Sequence, residues 1–376
     1  MDTNKRSLID HEKYRGKLEI LSRMPVSNLD ELSIAYSPGV GAVSSAIAEN
    51  PELAKTHTMA GRTVLVVSDG SAVLGLGNIG AKAALPVMEG KCVLMKEFAD
   101  VDAIPLVLSS QDPDKIIETI VNVAPTFAGV NLEDIKAPEC FYIEQQLRQT
   151  LDIPVFHDDQ HGTAIVVLAG LINAAKVVGK DVSELSIVIN GAGAAGIAIA
   201  ELLHNFGVQS ITLLDSRGVV TTETASNPYK KRITQFDNYS DIGDDLDEAI
   251  VNKNVFIGVS KGNILDQTMI NKMKSNPIVF ALANPDPEIA YGEAQKSGVA
   301  VLATGRSDYP NQVNNVLAFP GIFRGMINNQ INEITMTHKL HAANAIAELV
   351  VEPRADKILP DPFDDRIVPS VAAVIK

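Results

Sequence analysis

The chain has 376 residues, 46% hydrophobic and 21% charged, a globular balance that excludes a disordered chain and suits about two domains. Its formal net charge of −14 argues against nucleic acid or an anionic membrane as partner. Any small anionic ligand would therefore need a local lysine, cation or helix N-terminus.

Two distant cysteines, Cys92 and Cys140, exclude a disulfide framework. The N-terminus is charged and lacks an apolar leader stretch, and no run reaches the roughly 20 apolar residues of a membrane span. A soluble protein of a reducing cytoplasm is expected.

In chain order, apolar runs at 63–68 and 103–108 read as strands, and 112–123 and 138–150 as helices opened by Asp or Pro. A strand-like run at 153–156 ends in the polar HDDQHGT, and an apolar helix is expected over 163–178. Strands at 185–190, 211–215, 255–260, 278–283 and 299–304 then alternate with helical stretches such as 194–206 and 245–253. A mostly helical run, 319–351, follows. The fold class predicted is α/β, with a doubly wound parallel sheet of the Rossmann type beside a second α/β domain. The domains are expected at 1–160, an N-terminal substrate and catalytic unit, and 161–330, the nucleotide unit. A C-terminal helical segment at 331–376 would pack back on the first.

The segment SIVINGAGAAGIAIAELLHNFGVQSITLLD carries Gly191-x-Gly193-x-x-Gly196 between a strand and a helix, with Asp215 ending the next strand 24 residues after Gly191. The first glycine allows the tight turn, the second admits a pyrophosphate, and the third lets helix and strand approach. Gly191, Ala192, Gly193, Ala194, Ala195 and Gly196 are thus the expected dinucleotide turn. A carboxylate at Asp215 favours the ribose hydroxyls of NAD, while Arg217 keeps NADP open.

Two acidic pairs, Glu133-Asp134 and Asp158-Asp159, suit Mg²⁺ or Mn²⁺, although such pairs are more often solvated surface or helix caps. His157 and His161 raise zinc, but no third nitrogen or sulfur ligand lies nearby in sequence. Neighbouring side chains diverge on strands and helices, so adjacent ligands require a loop or an element's end. Lys91 stands beside an apolar run, where desolvation would lower its pKa and make it a base; the plainer alternative is a snorkelling lysine. Tyr36, in the turn-rich IAYSPGVG, is by itself an ordinary packing residue.

Taken together, AYSPGVG (35–41), DGSAVLGLGNIG (69–80), PVMEGK (86–91), VNLEDI (130–135), HDDQHGTA (157–164), GAGAAG (191–196), ALANPDPEI (281–289) and NNVLAFPGIFRG (314–325) resemble a malic enzyme of the compact bacterial type along essentially the whole chain. The resemblance implies oxidative decarboxylation of L-malate to pyruvate and CO₂ with a nicotinamide cofactor and a divalent cation. It implies Lys91 as general base, Tyr36 as general acid, and Asp158 as the carboxylate that orients the lysine. Glu133, Asp134 and Asp159 correspond to metal ligands, and Asn284, Asn314 and Asn315 to substrate or nicotinamide-ribose contacts. It also implies a homodimer, with apolar segments near 9–34 as its interface.

The chain departs from the larger eukaryotic enzymes at Ser71-Ala72-Val73, where those carry a substrate-binding arginine. The distal carboxylate of malate therefore needs another partner: a backbone N–H near 75–80, Arg306, or a neighbouring subunit. Three other readings compete: a metal-independent 2-hydroxy-acid dehydrogenase, a silent dinucleotide-binding regulator, and a malolactic enzyme that converts malate to lactate.

Overall fold

A computed structural model describes residues 2–73, 75–236 and 243–376, so Leu74 of the DGSAVLGLGNIG motif lies outside the described residues. Two sheets follow one another along the chain. In the first, β1 (Thr63–Ser68), β2 (Asp102–Val107), β3 (Gly129–Leu132) and β4 (Val155–His157) run parallel in the order β2-β1-β3-β4. Every residue of the Val/Leu-rich β1 is buried, as a central parallel strand covered on both faces requires. Helices Ala81–Ala99, Pro113–Val123 and Glu139–Thr150 make the crossovers.

The second sheet contains β5 (Ser186–Asn190), β6 (Ser210–Asp215), β7 (Gly218–Val219), β8 (Val255–Gly258), β9 (Ile278–Ala281) and β10 (Val301–Thr304). Their order is β10-β9-β8-β5-β6-β7, parallel except for β7. This is the expected Rossmann-type sheet, whose direction of winding reverses between β5 and β8, where such sheets bind their ligands.

The expected apolar helix starts five residues early, at Asp158, and runs to Val177. Two aspartates in the first turn complement the positive end of the helix dipole, so the polar HDDQHGT begins the helix instead of preceding it. From Ala164 to Ala175 every side chain is buried, and the helix packs against Ala194–Phe206 and Met336–Glu348. Apolar on all sides, it is a shaft between the two halves of the molecule.

The predicted helical run 319–351 is broken into Phe319–Asn329 and Met336–Glu348. Gln330 takes a left-handed φ of 50° and Thr335 opens the next helix with a capping box. The helix expected at 245–253 is only Leu246–Ala249, capped by Asp245 on Glu248. Helix Phe319–Asn329 lies against Ala81–Ala99 and Ile367–Val374.

The N-terminal helices Thr3–Tyr14, Leu29–Ala35 and Val40–Glu49 bury no residue, and Leu8, Ile20, Leu21, Leu29 and Ile34 stand exposed on this segment. No helix among the described residues is long and apolar enough to cross a membrane.

Asn173, fully buried on the shaft, donates to the carbonyls of Ala347 and Ile358 at 2.9 and 3.0 Å. Asn173→Leu leaves both carbonyls buried without that donor and is expected to cost about 2–4 kcal/mol. Urea unfolding of the variant against the parent measures it.

Candidate active site

Register builds the chemical centre. Leu132 on β3 pairs with His157 on β4, and Val67 on β1 pairs with Leu132, so the residues leaving these strands emerge side by side. Those residues are Glu133-Asp134 and Asp158-Asp159. Asp134 takes a left-handed φ of 54° and donates its N–H to Asp159 Oδ2 at 2.8 Å. One acidic pair is therefore at a strand end and the other in the first turn of a helix, where neighbouring carboxylates can converge.

Lys91, on helix Ala81–Ala99, reaches into this centre from the side. Its Nζ lies 2.5 Å from Asp158 Oδ2 and 3.0 Å from Glu133 Oε1, and 4.7 Å from the centroid of the Phe319 ring. Asn131 Nδ2 donates to the other oxygen of Glu133 at 2.9 Å.

Lys91 is desolvated as expected, but the lowered pKa expected from that is overruled. Burial alone would lower its pKa, but Asp158, Glu133 and Asp159 outweigh it and hold the ammonium above its ordinary range. The lysine contacts two carboxylates, Asp158 and Glu133, and feels the charge of a third, Asp159, so it stands charged. Burial pushes Glu133 and Asp158 up to about 7 despite the lysine, and raises Asp159 as well.

Four carboxylates against one ammonium leave excess buried negative charge, which a cation would relieve. Glu133, Asp134 and Asp159 each offer an oxygen, and the three oxygens lie within 4.8 Å of one another. This all-oxygen set fits a hard divalent ion such as Mg²⁺ or Mn²⁺. The nearest imidazole, His157, is 4.0 Å from Asp159 and outside the set.

Asp134 and Asp159 line a cleft of about 860 Å³ that also reaches Gly193, Ala194 and Ala195 of the glycine-rich turn. Gly191 has φ 128°, and a Cβ on Gly196 would meet Gly191 O at 1.7 Å, so the first glycine sets the turn and the third permits close packing. A Cβ on Gly193 would meet nothing within 4 Å. Gly193 begins helix Ala194–Phe206 with no side-chain cap, which leaves open backbone N–H groups at the positive end of a dipole. The turn therefore fits a pyrophosphate.

Asn284, Asn314 and Asn315 all line this cleft. Gly305 gives Asn284 room: a Cβ there would lie 2.7 Å from the Asn284 amide nitrogen. Asp215 ends β6, where Lys230 Nζ reaches it at 2.5 Å and Arg217 donates its backbone N–H at 2.8 Å. Tyr36 is not brought to the carboxylates within the chain. It follows helix Leu29–Ala35, is 70% exposed and does not line the cleft.

Sequence reading missed Asn131 and Phe319, which hold Glu133 and Lys91, and Lys136 and Lys261, which line the cleft. Lys136 and Lys261 lie three to four residues beyond the ends of β3 and β8, in the loops that leave those strands. Arg306 is engaged with Asp308 and with the carbonyl of Pro285.

Comparison with known proteins identifies the family. The family model of the malic enzyme N-terminal domain matches residues 15–148, and that of the malic enzyme NAD binding domain matches 160–369. The bifunctional malic/malolactic enzyme of Bacillus subtilis is 50% identical, over 100% of this chain and 92% of its own. The NAD-dependent malic enzyme of Geobacillus stearothermophilus is 50% identical, over 96% of this chain and 76% of its own. The crystal structure of the NAD-dependent malic enzyme of Thermotoga maritima superposes with a TM-score of 0.95 at 45% identity, covering 100% of this chain and 99% of that one. Two family domains in tandem, and relatives half identical from end to end, make this chain a member of the malic enzyme family, which couples the oxidative decarboxylation of malate to NAD or NADP.

Proposed function

We propose that the chain converts L-malate to pyruvate and CO₂ with NAD preferred over NADP, and that Glu133, Asp134 and Asp159 hold the Mg²⁺ or Mn²⁺ it requires. The observation that carries this reading is the cluster of Glu133, Asp134 and Asp159 beside Lys91, two of whose members, Asp134 and Asp159, line the same cleft as the uncapped Gly193 turn. When bound, the nicotinamide supplies a hydride acceptor and the divalent ion supplies Lewis acidity.

Lys91 takes the proton from the C2 hydroxyl, and Asp158, at 2.5 Å, aims the amine. A base must be neutral to act. Positive charge beside Glu133 and Asp159 offsets two of the three carboxylates that hold the lysine charged, which couples metal loading to the base. Asn284, Asn314 and Asn315, on the nucleotide side of the cleft, orient the substrate and the nicotinamide ribose.

Tyr36 protonates C3 of the enol product; its exposure supports a reading in which this step crosses a homodimer. The exposed apolar residues of the N-terminal segment need cover, and a second copy that buries them brings a tyrosine with it.

At Asp215, hydrogen bonds from Lys230 and Arg217 outweigh burial and keep the carboxyl below its ordinary range. An ionised acceptor there receives ribose hydroxyls and repels a 2′-phosphate. A malolactic conversion is the second reading, favoured by the name of the Bacillus subtilis relative.

Purified protein given malate, NAD and Mn²⁺ is expected to form NADH and pyruvate in equal amounts, to stop on addition of EDTA and to recover with Mn²⁺. Lactate without net NADH would establish the malolactic reading instead. Lys91→Ala is expected to lower turnover by roughly two to four powers of ten with NAD affinity nearly intact. Mixing it with inactive Tyr36→Phe should restore up to about a quarter of parental activity through mixed dimers if the tyrosine serves the partner's site. Asp215→Ala frees Lys230 and Arg217, and is expected to raise kcat/KM for NADP about tenfold relative to NAD, read from initial rates with each cofactor.

A further inference from the structure

A second buried polar cluster lies on another face of the turn that carries Asp158 and Asp159. Glu144, on helix Glu139–Thr150, accepts from Gln160 Nε2 at 3.1 Å through one oxygen and meets His161 Nε2 at 2.7 Å through the other. Lys339, on helix Met336–Glu348 and 6% exposed, lies with its Nζ 2.9 Å from His161 Nδ1. An ammonium only donates, so Nδ1 must accept and the imidazole proton sits on Nε2, where it donates to Glu144. The chain of bonds thus has one direction, Lys339 to His161 to Glu144, and ties together three helices from distant parts of the sequence.

None of these three side chains lines the substrate cleft. They sit beside a separate cavity of about 670 Å³ whose rim carries the pairs Arg148–Glu333 and Glu201–Arg232. A buried ionic chain is costly to desolvate, and packed apolar side chains would hold the helices at least as well. Its geometry, however, does something apolar packing does not. Gln160 and His161 directly follow Asp158 and Asp159, and both bond to the one carboxylate of Glu144, which fixes the rotation of that turn about the helix axis.

Other features of the turn leave it in need of such a hold. The residue preceding it, His157, makes no side-chain cap bond. Gly162 presents no Cβ, and one placed there would fall 1.8 Å from Asp158 Oδ1, so no side chain wedges Asp158 from behind. Like-charge crowding among Asp158, Asp159 and Glu133 opposes their convergence, against the hold of Lys91 on Asp158 and of the Asp134 N–H on Asp159.

We infer that Glu144, His161 and Lys339 are positioning residues: their directed hydrogen-bond chain sets the rotation of the helix N-terminus that presents Asp158 to Lys91 and Asp159 to the divalent cation. The inference rests on the metal and base assignments proposed above. Its test therefore begins with Mn²⁺ binding to the resting homo-oligomer, measured by electron paramagnetic resonance without turnover.

His161→Leu removes both bonds of the chain, Lys339→Met removes its donor, and His161→Gln restores one acceptor toward Lys339 and one donor toward Glu144. The first two are expected to weaken Mn²⁺ binding by about 10- to 100-fold and to lower kcat for malate by a similar factor, with NAD affinity within about twofold of the parent. His161→Gln is expected to regain most of both. If His161→Leu does not fold, Lys339→Met and His161→Gln carry the same comparison. Parental Mn²⁺ affinity and turnover in a folded Lys339→Met or His161→Leu would overturn the inference alone. So would loss of NAD binding in step with Mn²⁺ binding, or failure of His161→Gln to rescue, since either outcome marks a general packing role. Absence of Mn²⁺ binding by the parent protein would instead overturn the metal assignment, and the inference with it.

Discussion

One ammonium surrounded by carboxylates is the constraint around which the catalytic half is organised. Lys91 touches Asp158 and Glu133, with Asp159 close enough to act on its charge. The excess negative charge of the cluster is relieved by protons, which burial favours near neutral pH at Glu133 and Asp158, or by a divalent ion. In the proposed reading that demand ties together three properties: the site would take a hard cation, the cation would relieve the charges that keep the lysine protonated, and the cation would itself offer a dianionic substrate a local positive centre. In a chain with net charge −14, a small anion needs local positive charge of this kind.

The buried helix Asp158–Val177 joins the two kinds of chemistry. Its first turn belongs to the carboxylate cluster, and its length packs on the helix that begins at the dinucleotide turn. Oxidation requires the substrate carbon and the nicotinamide to meet at near-contact distance, and a rigid element shared by both halves serves that need. Helix Met336–Glu348 packs on the same shaft and supplies Lys339, so residues near the C-terminus bear on a site built from the first 160.

The two features proposed to meet the nucleotide act by opposite means. The Gly193 turn works through absence: no Cβ and no side-chain cap stand before the helix N-terminus. Asp215 works through presence, as a charge kept ionised by Lys230 and Arg217.

By itself the sequence determined the elements and the ligand types. The glycine spacing at 191–196, the apolar runs of the second sheet and the paired acids are local patterns, and local patterns follow from backbone sterics and hydrophobic periodicity. Tertiary structure decided what those patterns meant together. The register of β1, β3 and β4 set Glu133 beside Asp158, and packing of helix Ala81–Ala99 brought Lys91 between them. The charge state of Lys91 reversed from expectation because a pKa depends on which charges lie within a few ångströms, and sequence neighbours do not reveal them. The same reason hid the chain through Glu144, His161 and Lys339, whose members are separated by up to 195 residues yet bonded in space.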